Sequence, residues 1–87
     1  MKHATQRTEL LLAIALAYHA QLAPRKAIDL AEANFLSARK KGSPSAIAEA
    51  DAALTEATEV FAEANMKYIL ARADLEAFDD KVTRSYN

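Results

Sequence analysis

Residues 47–82 read IAEADAALTEATEVFAEANMKYILARADLEAFDDKV, and within them Ile47, Leu54, Phe61, Tyr68, Leu75 and Val82 recur at every seventh position. Ala50, Ala57, Ala64 and Ala71 follow the first four of these by three residues, and Phe78 takes the next such place. Apolar residues spaced in this way stay on one side of an α-helix, so the stretch predicts one long helix with a seam for another helix. Large residues fill heptad position a and alanine fills d. Alanine at d lets two helix axes approach toward the lower end of the usual range of roughly 8 to 10 Å.

The first half of the chain carries the matching pattern. Leu10, Ile14, Ala17, Ile28, Ala31, Phe35 and Ala38 share one frame, which passes through Gln21 and Pro24. Proline has no N–H for the carbonyl of Ala20 and crowds the preceding turn. Either the helix kinks near residues 20–24, or it stops at Leu22 and restarts with Pro24 in its first turn, which would give three helices. The unbroken phase favours the kink.

The ends of these helices are marked. Thr5 is an N-cap candidate for the first. Arg39-Lys40-Lys41-Gly42 closes it, with cations against the negative end of the dipole and a glycine suited to the left-handed position beyond. Ser43-Pro44 opens the next helix as N-cap and first helical residue, and Glu49 and Asp51 bring negative charge to its early turns. So short a connection makes the helices antiparallel neighbours. The expectation is an all-α fold, a long antiparallel helical hairpin forming a single domain over residues 1–87. Helix 1 covers about 5–41, the turn 42–44 and helix 2 about 45–83, giving a rod of roughly 55 Å. Thr83-Arg84-Ser85-Tyr86-Asn87 has lost the pattern and is expected to fray. The plan is similar in topology to that of secreted helical hairpins with a Trp-x-Gly turn. Here the turn reads Lys41-Gly42-Ser43 and the chain has no tryptophan, so no function is carried across.

Composition narrows the function classes. The 87 residues include one glycine, two prolines and no cysteine, and the formal net charge is −1. Disulfides, thiolate catalysis and cysteine-based zinc sites are excluded, and the absence of cysteine fits a reducing, cytoplasmic setting. Near-zero net charge leaves no global field to draw the chain onto nucleic acid or an anionic membrane. The basic Met1 to Arg7 segment and apolar Leu10 to Ala17 run resemble a secretory signal. Glu9 abuts the run, however, the run is short, and its heptad phase continues into the helix. It also falls far short of the ~18 to 20 residues of a membrane span.

Several large apolar residues lie off the seam: Leu11, Leu12, Leu16 and Leu22 in the first helix, and Met66, Ile69 and Leu70 in the second. Folding at Gly42-Ser43 sets residue n opposite about 85 minus n, which brings Leu16 near Ile69 and gathers both groups at the open end of the rod. In water each side chain would forgo about 1.5 to 3 kcal/mol of burial. These seven are the candidate oligomer or partner interface. The expected outcome is a homodimer forming an antiparallel four-helix bundle, which Leu16→Glu or Ile69→Lys would disperse.

Little else carries chemistry. Glu49, Glu56 and Glu63 are spaced by seven with Glu59 beside them, but a di-metal bundle site pairs glutamate with histidine three residues on. Neither His3 nor His19 follows a glutamate at that spacing. His19 reads as a polar residue flanking the core near Pro24. Ser37, Ser43, Ser45 and Ser85 have no histidine nearby in sequence, and no glycine-rich loop could hold a phosphate. No catalytic, cofactor-binding or metal-binding residue is assigned. Arg25, Lys26, Arg39, Lys40 and Lys41 form a possible basic patch without interleaved aromatics. The expected function is that of a non-enzymatic protein–protein interaction module. It would act as an adaptor or inhibitor by occupying a partner surface, an economy of design found in inhibitory proteins of phages and other mobile elements. The alternatives are a structural or assembly subunit of a larger complex and a weak nucleic-acid binder using the basic turn.

Overall fold

The computed structural model describes residues 2–86. Three helical segments follow in order: α1 (Lys2–His19), α2 (Leu22–Lys41) and α3 (Pro44–Tyr86). The first two form one bent arm and α3 is the other, packed along both, so the fold is an all-α hairpin. Its extents are 65 × 17 × 13 Å. The rod is longer than the roughly 55 Å expected, because at its open end helix continues past Thr5 to Lys2 on the first arm and past Thr83 to Tyr86 on the second. Thr5 is therefore not a cap, and the expected fraying begins no earlier than the last described residue. Met1 and Asn87 lie outside the described residues.

The bend falls at Ala20 and Gln21. Gln21 donates its N–H to the carbonyl of Tyr18 at 3.1 Å, an i to i−3 bond that tightens the turn, while Ala20 still reaches Leu16 at 2.9 Å. Arg25 resumes the ladder on Gln21 at 3.0 Å. Gln21 keeps a right-handed helical backbone (φ −78, ψ −18). The chain thus bends around Pro24 without losing its phase, which is why the heptad frame survives the interruption.

The turn between the arms is built as its sequence requires. Gly42 takes the left-handed conformation at φ 74 and donates its N–H to Ala38 O at 3.1 Å. Ser43 receives the Ala46 N–H on its hydroxyl at 3.5 Å, a long capping bond, and the Ile47 N–H on its carbonyl at 3.0 Å. A Cβ at position 42 would meet nothing within 4 Å, so strain comes from the backbone alone. Gly42→Ala should cost about 1 kcal/mol, read as a lower urea midpoint with an unchanged slope.

Register follows from four contacts across the arms: Arg7 with Asp79, Tyr18 with Tyr68, Gln21 with Asn65, and Arg25 with Phe61. In each pair the numbers add to 86, one away from the expected register. The seam is the predicted one. From Leu10 to Ala38 and from Ile47 to Val82, every a and d residue is at least partly covered, and among the described residues outside the frame only Ala46, Asn65 and Asp79 are. Yet a two-helix rod has no deep interior: Ala31 and Ala38, at 7% and 8% exposure, are the buried residues among those described.

Candidate interaction surface

In an antiparallel pair the e positions of the two arms meet along one face and the g positions along the other, with b extending the first face and c the second. Taking Ile14 and Ile47 as a positions assigns every residue to a face. The two faces differ in kind.

The e face is crossed by contacts between the hairpin's own polar and aromatic side chains, while Leu11, Tyr18, Leu22, Leu36 and Ile69 stay exposed along its e and b positions. Arg7 Nε lies 3.0 Å from Asp79 Oδ1, and Gln21 Nε2 donates to Asn65 Oδ1 at 3.1 Å. The guanidiniums of Arg25, Arg39 and Arg72 stand 5.8, 5.9 and 5.8 Å from the rings of Phe61, Phe35 and Tyr68. Tyr18 leans on Tyr68 with ring centroids 5.8 Å apart. Each of these contacts uses an e residue, and each covers the edge of a large a side chain. The hydrogen bond to Asp79, then its charge, raise the pKa of Arg7 above its ordinary value. A raised guanidinium pKa leaves this stabilisation fully present below the ordinary value and loses it only as pH climbs through the raised one. Arg7→Gln should therefore leave the shape of the stability profile unchanged from neutral to mildly alkaline pH. In this exposed pair the substitution acts on salt dependence instead, checked by urea unfolding at low and high salt.

The g face is bare. Its g positions are Ala13, Ala20 and Ala27, then Asn34 and Lys41, on the first arm and Ala46, Ala53 and Val60, then Lys67, Asp74 and Lys81, on α3, so it is apolar where Ala27 and Val60 meet and charged toward the open end. The short apolar side chains leave a trough between the arms, an open groove of about 370 Å³ whose walls include Ala27, Leu30, Ala53, Glu56 and Val60. Leu30 is 65% exposed on its rim, and Leu16, at 61%, continues the same flank. Leu70 stands level with Leu16 across the trough, both at c.

The seven interface candidates do not share this face. Leu16 and Leu70 lie on it. Leu11, Leu22 and Ile69 belong to the e and b side, and Leu12 and Met66 to the outer f edges; all seven are exposed. Leu16 and Ile69, expected as neighbours, are nearly level but on opposite sides of the rod. Sequence reasoning also missed Leu30, Leu36 and Val60, exposed on the half of the rod near the turn. The surplus therefore runs along the whole hairpin and is not confined to its open end. The missing signal was the heptad letter of each off-seam residue, which separates faces where position along the rod does not.

The basic candidates scatter likewise. Arg25 and Arg39 are laid over rings of their own hairpin, Lys26 and Lys40 point along the f edge, and Lys41 lies toward the g side. His19 ends α1 and is exposed, as are Glu49, Glu56, Glu59 and Glu63. Among the described residues no three His, Cys, Asp or Glu side chains come together to hold a metal ion. No described helix is long and apolar enough to cross a membrane.

The fold and this surface define a helical hairpin with one face crossed by its own side-chain contacts and the other holding an apolar groove. Comparison with protein-family models, curated proteins and solved structures finds no match to the chain.

Proposed function

We propose that the chain is a non-enzymatic protein–protein interaction module that dimerises into a four-helix bundle and acts as an adaptor or inhibitor by occupying a surface of another protein. The observation that carries this is the surplus of exposed apolar surface. Among the described residues eleven large apolar side chains stay exposed and the buried residues are two alanines. The accessible surface is 6793 Å² for 9.5 kDa. A compact protein of that mass exposes about 5,000 Å². The excess, about 1,800 Å², is roughly twice what a standard interface takes from each partner. A hairpin completed by a second copy gains the core it lacks alone. The cytoplasm is the compartment we propose for it, supported by the cysteine-free composition.

The test is thermal unfolding followed by circular dichroism over a hundredfold range of chain concentration. Mass action makes the midpoint of a dimer rise with concentration. A midpoint that stays fixed would mean the hairpin is stable alone, and the dimer would be wrong.

A further inference from the structure

Resting on that reading, we infer that the second copy seats on the g face, with both turns at the same end, so that the bent arm of each hairpin lies along α3 of the other. Three observations bear on this. The first is the chemistry of the two faces. Along the e face, Arg25, Arg39 and Arg72 are already placed over rings, and burying those guanidiniums under another chain would strip their water without offering new partners. The g face offers the groove instead. Alanines along its middle allow close approach of backbones, while Leu16, Leu30 and Leu70 on the flanks find cover on the opposing copy.

Charge fixes the relative direction. On the g, c and f positions residues 22–42 carry Lys26, Lys40 and Lys41 and no Asp or Glu, Arg25 and Arg39 being on the e face, whereas residues 43–66 carry Glu49, Glu56, Glu59 and Glu63 there and no Lys or Arg. With both turns at one end, the basic half of each bent arm runs beside the acidic half of the other copy's α3, and this occurs twice by symmetry. Lys26 and Lys40 at f then border Glu49, Glu56 and Glu63 at c. With turns at opposite ends, the bent arms face each other and the acidic half of each α3 meets the open half of the other α3, where Lys67, Lys81 and Arg84 are offset by Asp74 and Asp80 on this side, so the complementarity is weaker. The third observation is area: the excess surface of each chain is enough for an interface of obligate-dimer size.

Because the chain has no cysteine, one introduced thiol reports one position. Ala53→Cys sits at g near the turn and Thr58→Cys at e on the opposite face. Each variant would be treated with a short bis-maleimide at low micromolar concentration, and its mass measured by light scattering before treatment. In the proposed dimer the two thiols at position 53 face each other across the symmetry axis and join in high yield, while those at position 58 stay single. With the turns at opposite ends the thiols at position 53 would be about 30 Å apart and would not join. A dimer that joins at 58, or at neither site, would overturn the g-face arrangement and leave dimerisation standing. A monomeric mass would overturn both.

Discussion

Leu30→Glu should convert the proposed dimer to monomers at micromolar concentration, whereas Ile69→Lys should leave its mass unchanged. Among the described residues Leu30 is the most exposed large apolar side chain, and it stands on the rim of the groove. Covering one such leucine is worth about 1.5 to 3 kcal/mol, and twofold symmetry counts it twice, so its loss costs about 3 to 6 kcal/mol. That is a hundredfold to ten-thousandfold rise in dissociation constant. The new carboxylate also stands level with Glu56 of the second copy, adding a like-charge contact. Ile69 lies on the other face, in a shallow depression with Tyr68, Arg72 and Glu76, where a lysine meets water and a nearby carboxylate. Sedimentation equilibrium of the two variants beside the parent chain checks both outcomes. A dimeric Leu30→Glu, or a monomeric Ile69→Lys, would move the interface to the e face.

The second large effect belongs to the seam. Ala31→Leu places three extra carbons at a d position that is 7% exposed, where the arms approach over alanine. Overpacking of this kind costs about 1 to 3 kcal/mol, and a core this small supplies no more than roughly 3 to 5 kcal/mol. The substitution therefore removes much of the stability, lowering the melting temperature by about 4 to 8 °C per kcal/mol. Leu36→Ala, at an exposed b position, changes stability by about 0.5 kcal/mol or less. Denaturant unfolding of both variants separates the seam from the surface. Equal effects would mean that alanine at d does not set the spacing of the arms.

The seam was legible because a heptad is redundant: each of Ile47, Leu54, Phe61, Tyr68, Leu75 and Val82 predicts the next. The bend was legible because Pro24 removes one particular hydrogen bond while Ile28 and Phe35 keep the phase. The turn was legible in Gly42 and Ser43, each of which solves a specific backbone problem. Helix ends were less so. Thr5 had the right chemistry for a cap, but helix begins earlier, at Lys2, and Thr83 to Tyr86 stay helical without seam residues to hold them. The surface was the least legible. Leu11, Leu12, Leu16 and Leu22 look like one cluster when read along the chain, yet successive residues turn by about 100° around the helix axis, which spreads the four over three sides. The arginines gave no hint either. Placing Arg25 over Phe61 depends on the register of the two arms, and only the folded hairpin brings them within 5.8 Å.

The central claim, that the chain completes its core with a second copy, is tested most directly by its solution mass. Light scattering from nanomolar to high micromolar concentration should give twice the 9.5 kDa chain mass through the micromolar range. A mass that stays at one chain to the highest concentration would contradict it, and would leave the alanine groove with Leu30 and Val60 as an open face without a second copy to fill it.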